Sequence, residues 1–198
     1  MSDAARGHST ATLFEASSGA ALACDPGLRP AWPGARAAGP AFTVRGIGGD
    51  NLALHRAVAQ APAGSVLVVD LQNAAHGHWG EILAVAAQQR GILGLVVDGG
   101  VRDTAEQAGI DFPVFARHVT VVGTGKDHPG TFGVPVRVGG VVVRPGDLVV
   151  GDADGVVVVP AEAVAKTLDQ SDERVAAEQR ALTAIRSGVT TLEYYRLG

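Results

Sequence analysis

The sequence predicts a single α/β domain with a parallel, helix-covered sheet in its first half and a compact, mainly antiparallel or barrel-like sheet in its second. Between Ala41 and Asp103, apolar strand-like runs alternate with segments of helical period, the pattern of strand-helix-strand units that pair in parallel. Beyond Pro113 the chain changes to short Val-rich runs divided by Gly and Pro, as in consecutive short strands. At 198 residues, 46% hydrophobic and 18% charged, it is long enough for one real core and too short for two independent domains.

Taken in order, the first eight residues read as a loose terminus. Thr10 to about Gly19 reads as a short helix with Ser9 or Thr10 as N-cap. From Pro26 to Pro40, dense Pro, Gly and Arg predict an irregular crossing segment. Ala41–Arg45 is a strand, Gly46–Asp50 a loop, and Asn51–Gln60 a helix whose apolar face carries Leu52, Leu54, His55, Val58 and Ala59. Pro62 and Gly64 end that helix, and Ser65–Asp70 is a buried strand closing on a carboxylate. Leu71–Trp79 is polar and links the carboxyl end of this strand to the next helix, the position where open α/β sheets place ligands. Asp70, Asn73, His76 and His78 are therefore candidates to line a pocket.

Gly80 opens the next helix, Leu93–Val97 is a buried strand, and Gly99-Gly100 predicts a turn into a helix that starts at Arg102-Asp103, runs to Ala108 and is capped by Gly109. The Gly139-Gly140 pair between two Val-rich runs predicts a two-residue hairpin. Ala161 to about Ser187, bounded by Pro160 and Gly188, reads as a helical extension with an apolar stripe of Val164, Leu168, Val175, Leu182 and Ile185. It packs on its own core or on a neighbouring subunit.

The chemistry concentrates at the two predicted helix starts. Free N–H groups at a helix N-terminus bind anions, so amides near Ile82 and Leu83, behind Gly80, could grip a carboxylate. Arg102 offers a planar donor fork for the same kind of group. Glu81 and Asp103 supply the hard oxygens that Mg²⁺ or Mn²⁺ prefers. The pattern reads as a site for a small carboxylate and a divalent metal. An alternative assignment leaves Glu81 and Asp103 complementing helix dipoles, with Arg102 paired to one of them. His76-Gly77-His78 with Glu81 also permits a transition-metal reading, although two histidines and one acid fall short of a closed zinc site. Gly123-Thr124-Gly125-Lys126 lacks the spacing and hydroxyl of a phosphate loop and reads as an ordinary turn in a long loop. Lys126, in an exposed setting, lacks the burial that lowers the pKa of a Schiff-base lysine.

Gly80-Glu81-Ile82-Leu83, Asp98-Gly99-Gly100-Val101-Arg102-Asp103, Arg144-Pro145-Gly146-Asp147 and Asp152-Ala153-Asp154-Gly155-Val156 together resemble the RraA-like family, from about residue 38 to 160. That family contains the 4-hydroxy-4-methyl-2-oxoglutarate/4-carboxy-4-hydroxy-2-oxoadipate aldolases and the regulator of ribonuclease activity A. An acid, twenty intervening residues and Arg-Asp form its catalytic signature, which Glu81, Arg102 and Asp103 satisfy; the enzymes often carry Asp where this chain has Glu81. The resemblance implies a three-layer β/β/α sandwich like the swivelling phosphohistidine domains, assembled as a trimer or dimer of trimers. It further implies Mg²⁺ or Mn²⁺ on Asp103, with Glu81 reaching the metal's water shell. Keto-acid oxygens would lie on Arg102, with the substrate carboxylate against Gly80, Ile82 and Leu83. Glu178, from the C-terminal segment of an adjacent subunit, is matched to a glutamate that reaches the same water shell. The implied reaction is lysis of 4-hydroxy-2-oxo dicarboxylic acids to pyruvate, with oxaloacetate decarboxylation through the same enolate. A non-catalytic regulator of a ribonuclease, or a phosphohistidine carrier using His76, His78 or His128, are the competing implications.

Composition narrows the partners. A net charge of −4, with 14 scattered arginines and only Lys126 and Lys166 as lysines, disfavours a nucleic-acid binder. The single cysteine, Cys24, excludes an intrachain disulfide and fits a reducing compartment. No apolar run approaches the length of a bilayer span, so a soluble, cytoplasmic protein is expected.

Overall fold

Period-two alternation along the strands sorts their side chains onto two faces, and the three cores follow from that sorting. The computed structural model describes Ala5 and residues 7–198. The main strands are β3 (Ala37–Arg45), β4 (Val66–Trp79), β5 (Gly94–Val101), β6 (Val114–Val119), β10 (Leu148–Asp152) and β11 (Gly155–Val159). Short strands β1 (Leu22–Ala23), β2 (Arg29–Pro30) and β7 (Thr131–Phe132) complete a nine-stranded sheet in the order β1-β11-β10-β3-β4-β5-β6-β2, with β7 on β3. Strands β8 (Val136–Val138) and β9 (Val141–Val143) form a separate antiparallel hairpin.

Leu67, Val69, Leu95 and Val97 point to one face, where α2 (Leu52–Gln60), α3 (Glu81–Gln89) and the loop bearing Phe112 cover them. Val66, Val68, Val96, Val149, Val156 and Val158 point to the other, against Val136, Val138 and Val143 of the hairpin. Helices, sheet and hairpin are the three layers of the expected sandwich. Leu148, Val150, Val157 and Val159 form a third core with Leu13 of α1 (Thr10–Ala16) and Val164 of α5 (Val164–Arg186).

Strands β3 to β6 are parallel neighbours joined through α2, α3 and α4 (Thr104–Gly109). The starts of α3 and α4 therefore emerge side by side at the carboxyl ends of β4 and β5, which is what positions the site.

Several sequence expectations change. The Pro26–Pro40 segment contains β2 and the first residues of β3, which pair with β10 through Ala37, Ala38, Gly39 and Pro40. That pairing joins the second half of the chain to the parallel strands, so only β8-β9 is a separate sheet. Leu71–Trp79 is strand rather than linker: β4 continues to Trp79 across two register shifts, with Gln72 and Asn73 in left-handed conformations at the first. Gly99-Gly100 lies inside β5 instead of turning. A Cβ on Gly100 would sit 2.6 Å from the His76 carbonyl oxygen, so the glycine serves close strand approach. Gly139 and Gly140 have φ of 57° and 78°, as a primed hairpin turn requires. Val121 and Val122 fall outside any strand and are exposed. Of the expected loose terminus, residues 1–4 and 6 lie outside the described residues, whereas Ala5 and His8 are buried. The C-terminal helix is buried through Val164, Thr167, Ser171 and Ala181, while Leu182 is 40% exposed. A short α6 (Thr191–Tyr195), closed by a Thr190/Glu193 capping box, follows it. Among the described residues no helix is long and apolar enough to cross a membrane.

Candidate active site

Asp103 enters α4 with φ 54° and ψ 44°, a left-handed conformation rare for a residue with a Cβ. Its side chain does not cap α4. Instead Oδ2 accepts the backbone N–H of Glu81 at 3.1 Å, so the carboxylate of one helix start is tied to the first amide of the other. Gly80 makes this possible, since a Cβ there would lie 2.2 Å from that oxygen.

Arg102 is held from both ends of its backbone: its N–H donates to the Trp79 carbonyl at 2.8 Å, and its carbonyl accepts from Gln107 Nε2. Its aliphatic stem lies over Gly77 and Gly80, where Cβ positions would be 3.0 and 3.2 Å from its carbons. Its Nε is 3.5 Å from Asp103 Oδ2, and both side chains are close to half exposed. Among the described residues the terminal nitrogens of the fork have no partner. The Ala84 N–H returns to the Gly80 carbonyl, and the amides of Ile82 and Leu83 find no acceptor among the described residues. The dipole-complementing assignment thus accounts for one oxygen of Asp103 and leaves its Oδ1, the guanidinium fork and two helix-start amides available.

These groups border a cleft of about 140 Å³ lined by Gly77, His78, Gly80, Ile82, Leu83, Arg102 and Asp103, and from the other side by Asn51, His55 and Lys126. Glu81 contributes its amide to the cluster; its side chain is exposed and is not among the lining groups. Asp70 accepts the Gln72 N–H at 3.0 Å and Asn73 Oδ1 pairs with His118 Nε2 at 2.8 Å, both away from the lining.

His78 is fully buried. Its Nε2 accepts the Gly49 N–H at 3.0 Å, which requires the proton on Nδ1, where it is donated to the Gly100 carbonyl at 3.2 Å. Burial drives its pKa below the ordinary histidine value, outweighing the opposing hydrogen bond to the Gly100 carbonyl. With both nitrogens engaged it braces the cleft wall and has no lone pair for zinc. No three His, Cys, Asp or Glu side chains converge on a common point among the described residues. The donor set fits a different ion. One carboxylate with a free oxygen on an open cleft suits Mg²⁺ or Mn²⁺, which retain several waters and take one or two protein carboxylates.

Asn51 and His55 were not legible as site residues, and Lys126 was legible only as part of a long loop. Asn51 and His55 are one turn apart and so share a face of α2, a spacing that could have signalled the first two. Asn51 donates Nδ2–H to the His78 carbonyl at 3.0 Å, leaving a buried Oδ1 without a partner. Burial, and then the positive charge of Lys126, lower the pKa of His55, which favours a neutral imidazole beside the lysine where both line the cleft. Lys126 arrives on the loop of residues 120–130, which Asp50 anchors. Burial of Asp50 opposes its ionisation, but N–H donors from Asp127, Leu52 and His128, together with the His128 charge, outweigh it and lower the carboxyl pKa.

Glu178 forms a 2.9 Å ion pair with Arg174 on its own helix, in a hollow with Tyr194 and Tyr195. Within one chain it belongs to a different cavity from Arg102. Asp98, Asp147 and Asp152 of the recognised motifs are structural. Asp98 joins Arg117 at 3.0 Å and accepts the Gly139 N–H at 2.8 Å. Asp147 accepts the Arg144 and Ala161 amides, and Asp152 accepts the Thr10 amide and hydroxyl.

The family model described as RraA-like, Aldolase/RraA, matches residues 10–158. A protein of Halalkalibacterium halodurans, named provisionally as a 4-hydroxy-4-methyl-2-oxoglutarate aldolase, is 37% identical over 158 residues, 79% of this chain and 75% of its own length. An uncharacterized protein from Pseudomonas syringae pv. tomato str. DC3000 superposes with a TM-score of 0.88 at 32% identity, over 99% of this chain and 92% of its own. The RNA-processing inhibitor RraA from Thermus thermophilis gives 0.71 at 30% identity, over 77% of this chain and 93% of its own.

Proposed function

The chain belongs to the RraA-like (Aldolase/RraA) family, and from that premise we propose that it is a divalent-metal-dependent carbon-carbon lyase that cleaves 4-hydroxy-2-oxo dicarboxylic acids to pyruvate. Decarboxylation of oxaloacetate is proposed at the same site. The observation that carries this reading is the convergence of Arg102, Asp103 and the Ile82 and Leu83 amides on one open cleft.

In this reading the amides of Ile82 and Leu83, at a helix start freed of side-chain bulk by Gly80, take the carboxylate next to the keto group. Arg102 donates to the keto oxygen. When the C3–C4 bond breaks, its electron pair moves toward C2 and negative charge grows on that oxygen; a fixed guanidinium stabilises the enolate more than the ketone. Mg²⁺ or Mn²⁺, held by Asp103 with Glu81 and Glu178 of a neighbouring copy touching its water shell, would supply Lewis-acid polarisation of the keto acid. A water molecule held by Glu81 takes the proton leaving the C4 hydroxyl, and C3 is protonated to release pyruvate. Lys126 and His55 face the far end of the cleft, where the second carboxylate of a dicarboxylic substrate would lie. Ile82 at 78% exposed, Val119 at 64% and Val121 at 93% form an apolar margin beside the cleft, suited to burial in a homotrimer or dimer of trimers.

The test couples pyruvate release to a dehydrogenase with and without EDTA, then repeats it with Asp103→Ala and Arg102→Ala. Loss of turnover in all three conditions is expected; metal-independent or mutation-insensitive release would remove the mechanism. The second reading is a binding protein that regulates a ribonuclease, supported by the named role of the Thermus relative and by the same exposed apolar margin. Co-purification with a ribonuclease, without lyase activity, would favour it.

A further inference from the structure

Asp50 is 5% exposed, and among the described residues no lysine or arginine pairs with it. A buried carboxylate is costly unless its oxygens are satisfied. Here Oδ1 accepts the Leu52 N–H at 3.0 Å at the start of α2, and Oδ2 accepts the Asp127 N–H at 2.6 Å from the long loop. Two backbone bonds reinforce the join: Gly125 N–H to the Gly49 carbonyl at 2.8 Å, and Asn51 N–H to the Gly125 carbonyl at 3.1 Å. The loop has no regular element between Val119 and Thr131 apart from this bridge. Lys126 sits between the two pinned residues and lines the cleft.

We infer that Asp50 is a positioning residue: its carboxylate clasps the 123–128 loop to the start of α2 and so sets Lys126 against the cleft. Its role in turnover rests on the proposed reading of the cleft as a keto-dicarboxylate site; the clasp itself does not. Charge-assisted bonds of this kind are short and strong. Asparagine is nearly isosteric but can present only one oxygen, so its amide nitrogen would face an N–H donor on one side.

The clasp and its consequence are read separately. Only Lys126 and Lys166 are lysines, so endoproteinase Lys-C reports release of the loop at one bond, with the other as internal reference. Cleavage after Lys126 relative to Lys166 is expected to rise about tenfold in Asp50→Asn, as loss of one charge-assisted bond allows. An unchanged ratio would overturn the clasp. Should that variant not fold, amide exchange in the wild-type chain decides: the Asp127 amide, corrected for intrinsic rates, should exchange at least about tenfold more slowly than those of Gly123 and Thr124, which have no acceptor among the described residues. Equal rates would overturn it.

For positioning, Asp50→Asn is expected to raise KM for a 4-carboxylated keto acid about tenfold with kcat within about twofold. The double variant with Lys126→Ala should be no worse than Lys126→Ala alone. A freed loop with unchanged KM would overturn the positioning role. A freed loop in a protein whose wild type turns over no keto acid would uphold the clasp and remove the enzymatic reading instead.

Discussion

Asp103 Oδ2 and the Glu81 amide, 3.1 Å apart, tie the starts of two helices together across 22 residues of sequence. The bond exists because Asp103 adopts a left-handed conformation and Gly80 has no side chain. Gly80→Ala should therefore disable the site more than it harms the fold. Its Cβ would displace the Asp103 carboxylate, lowering kcat/KM by about 10² or more, with a loss of about 1–2 kcal/mol in stability. Steady-state kinetics beside urea unfolding checks the pair of expectations.

His78 couples stability to pH. Its folded pKa lies below the ordinary value because of burial, so the unfolded chain binds more protons in the window below about 6.5. Its contribution is present above that pH and is lost as the solution is acidified toward the folded pKa. The melting temperature should fall on acidification from pH 7, and the part of the slope due to this window should vanish in His78→Gln, which should be less stable at neutral pH.

Asp98 holds the β8-β9 hairpin to the sheet through the Gly139 N–H, while Arg117 of β6 pairs with its other oxygen. Asp98→Ala leaves a largely buried guanidinium with Asp25 alone and removes the hairpin anchor. A loss of about 2–4 kcal/mol in chemical denaturation is expected.

Cys24 should be inert in the folded protein. Burial, and secondarily the Asp98 charge, push its thiol up to about 12 from 9.0. That lowers its thiolate fraction about a thousandfold, so iodoacetamide at pH 8 should label it only after denaturation.

Lys126→Ala should raise KM for dicarboxylic keto acids about tenfold while leaving inhibition by pyruvate nearly unchanged. Competition assays with the two ligand types separate the ends of the cleft.

The local parts of this design were legible because they depend on neighbours in sequence. Continuous apolar runs announced β4, β5 and β11, the Gly139-Gly140 pair announced its hairpin, and Gly80-Glu81 and Arg102-Asp103 announced two helix starts. Leu71–Trp79 reads as a linker in sequence because its strand pairing is irregular, and the bulge at Gln72-Asn73 hides the period. Gly99-Gly100 resembles a turn until β4 is laid against it.

By itself, the sequence determined the α/β class, the membership-bearing motifs and the acid-x20-Arg-Asp spacing, since each is written in contiguous residues or fixed intervals. Only the tertiary structure decided which oxygen of Asp103 is free, that His78 is a brace, and that Asn51, His55 and Lys126 face Arg102. Those outcomes depend on parallel strand pairing and on a buried Asp50 that draws a distant loop to α2, contacts whose direction no single segment encodes.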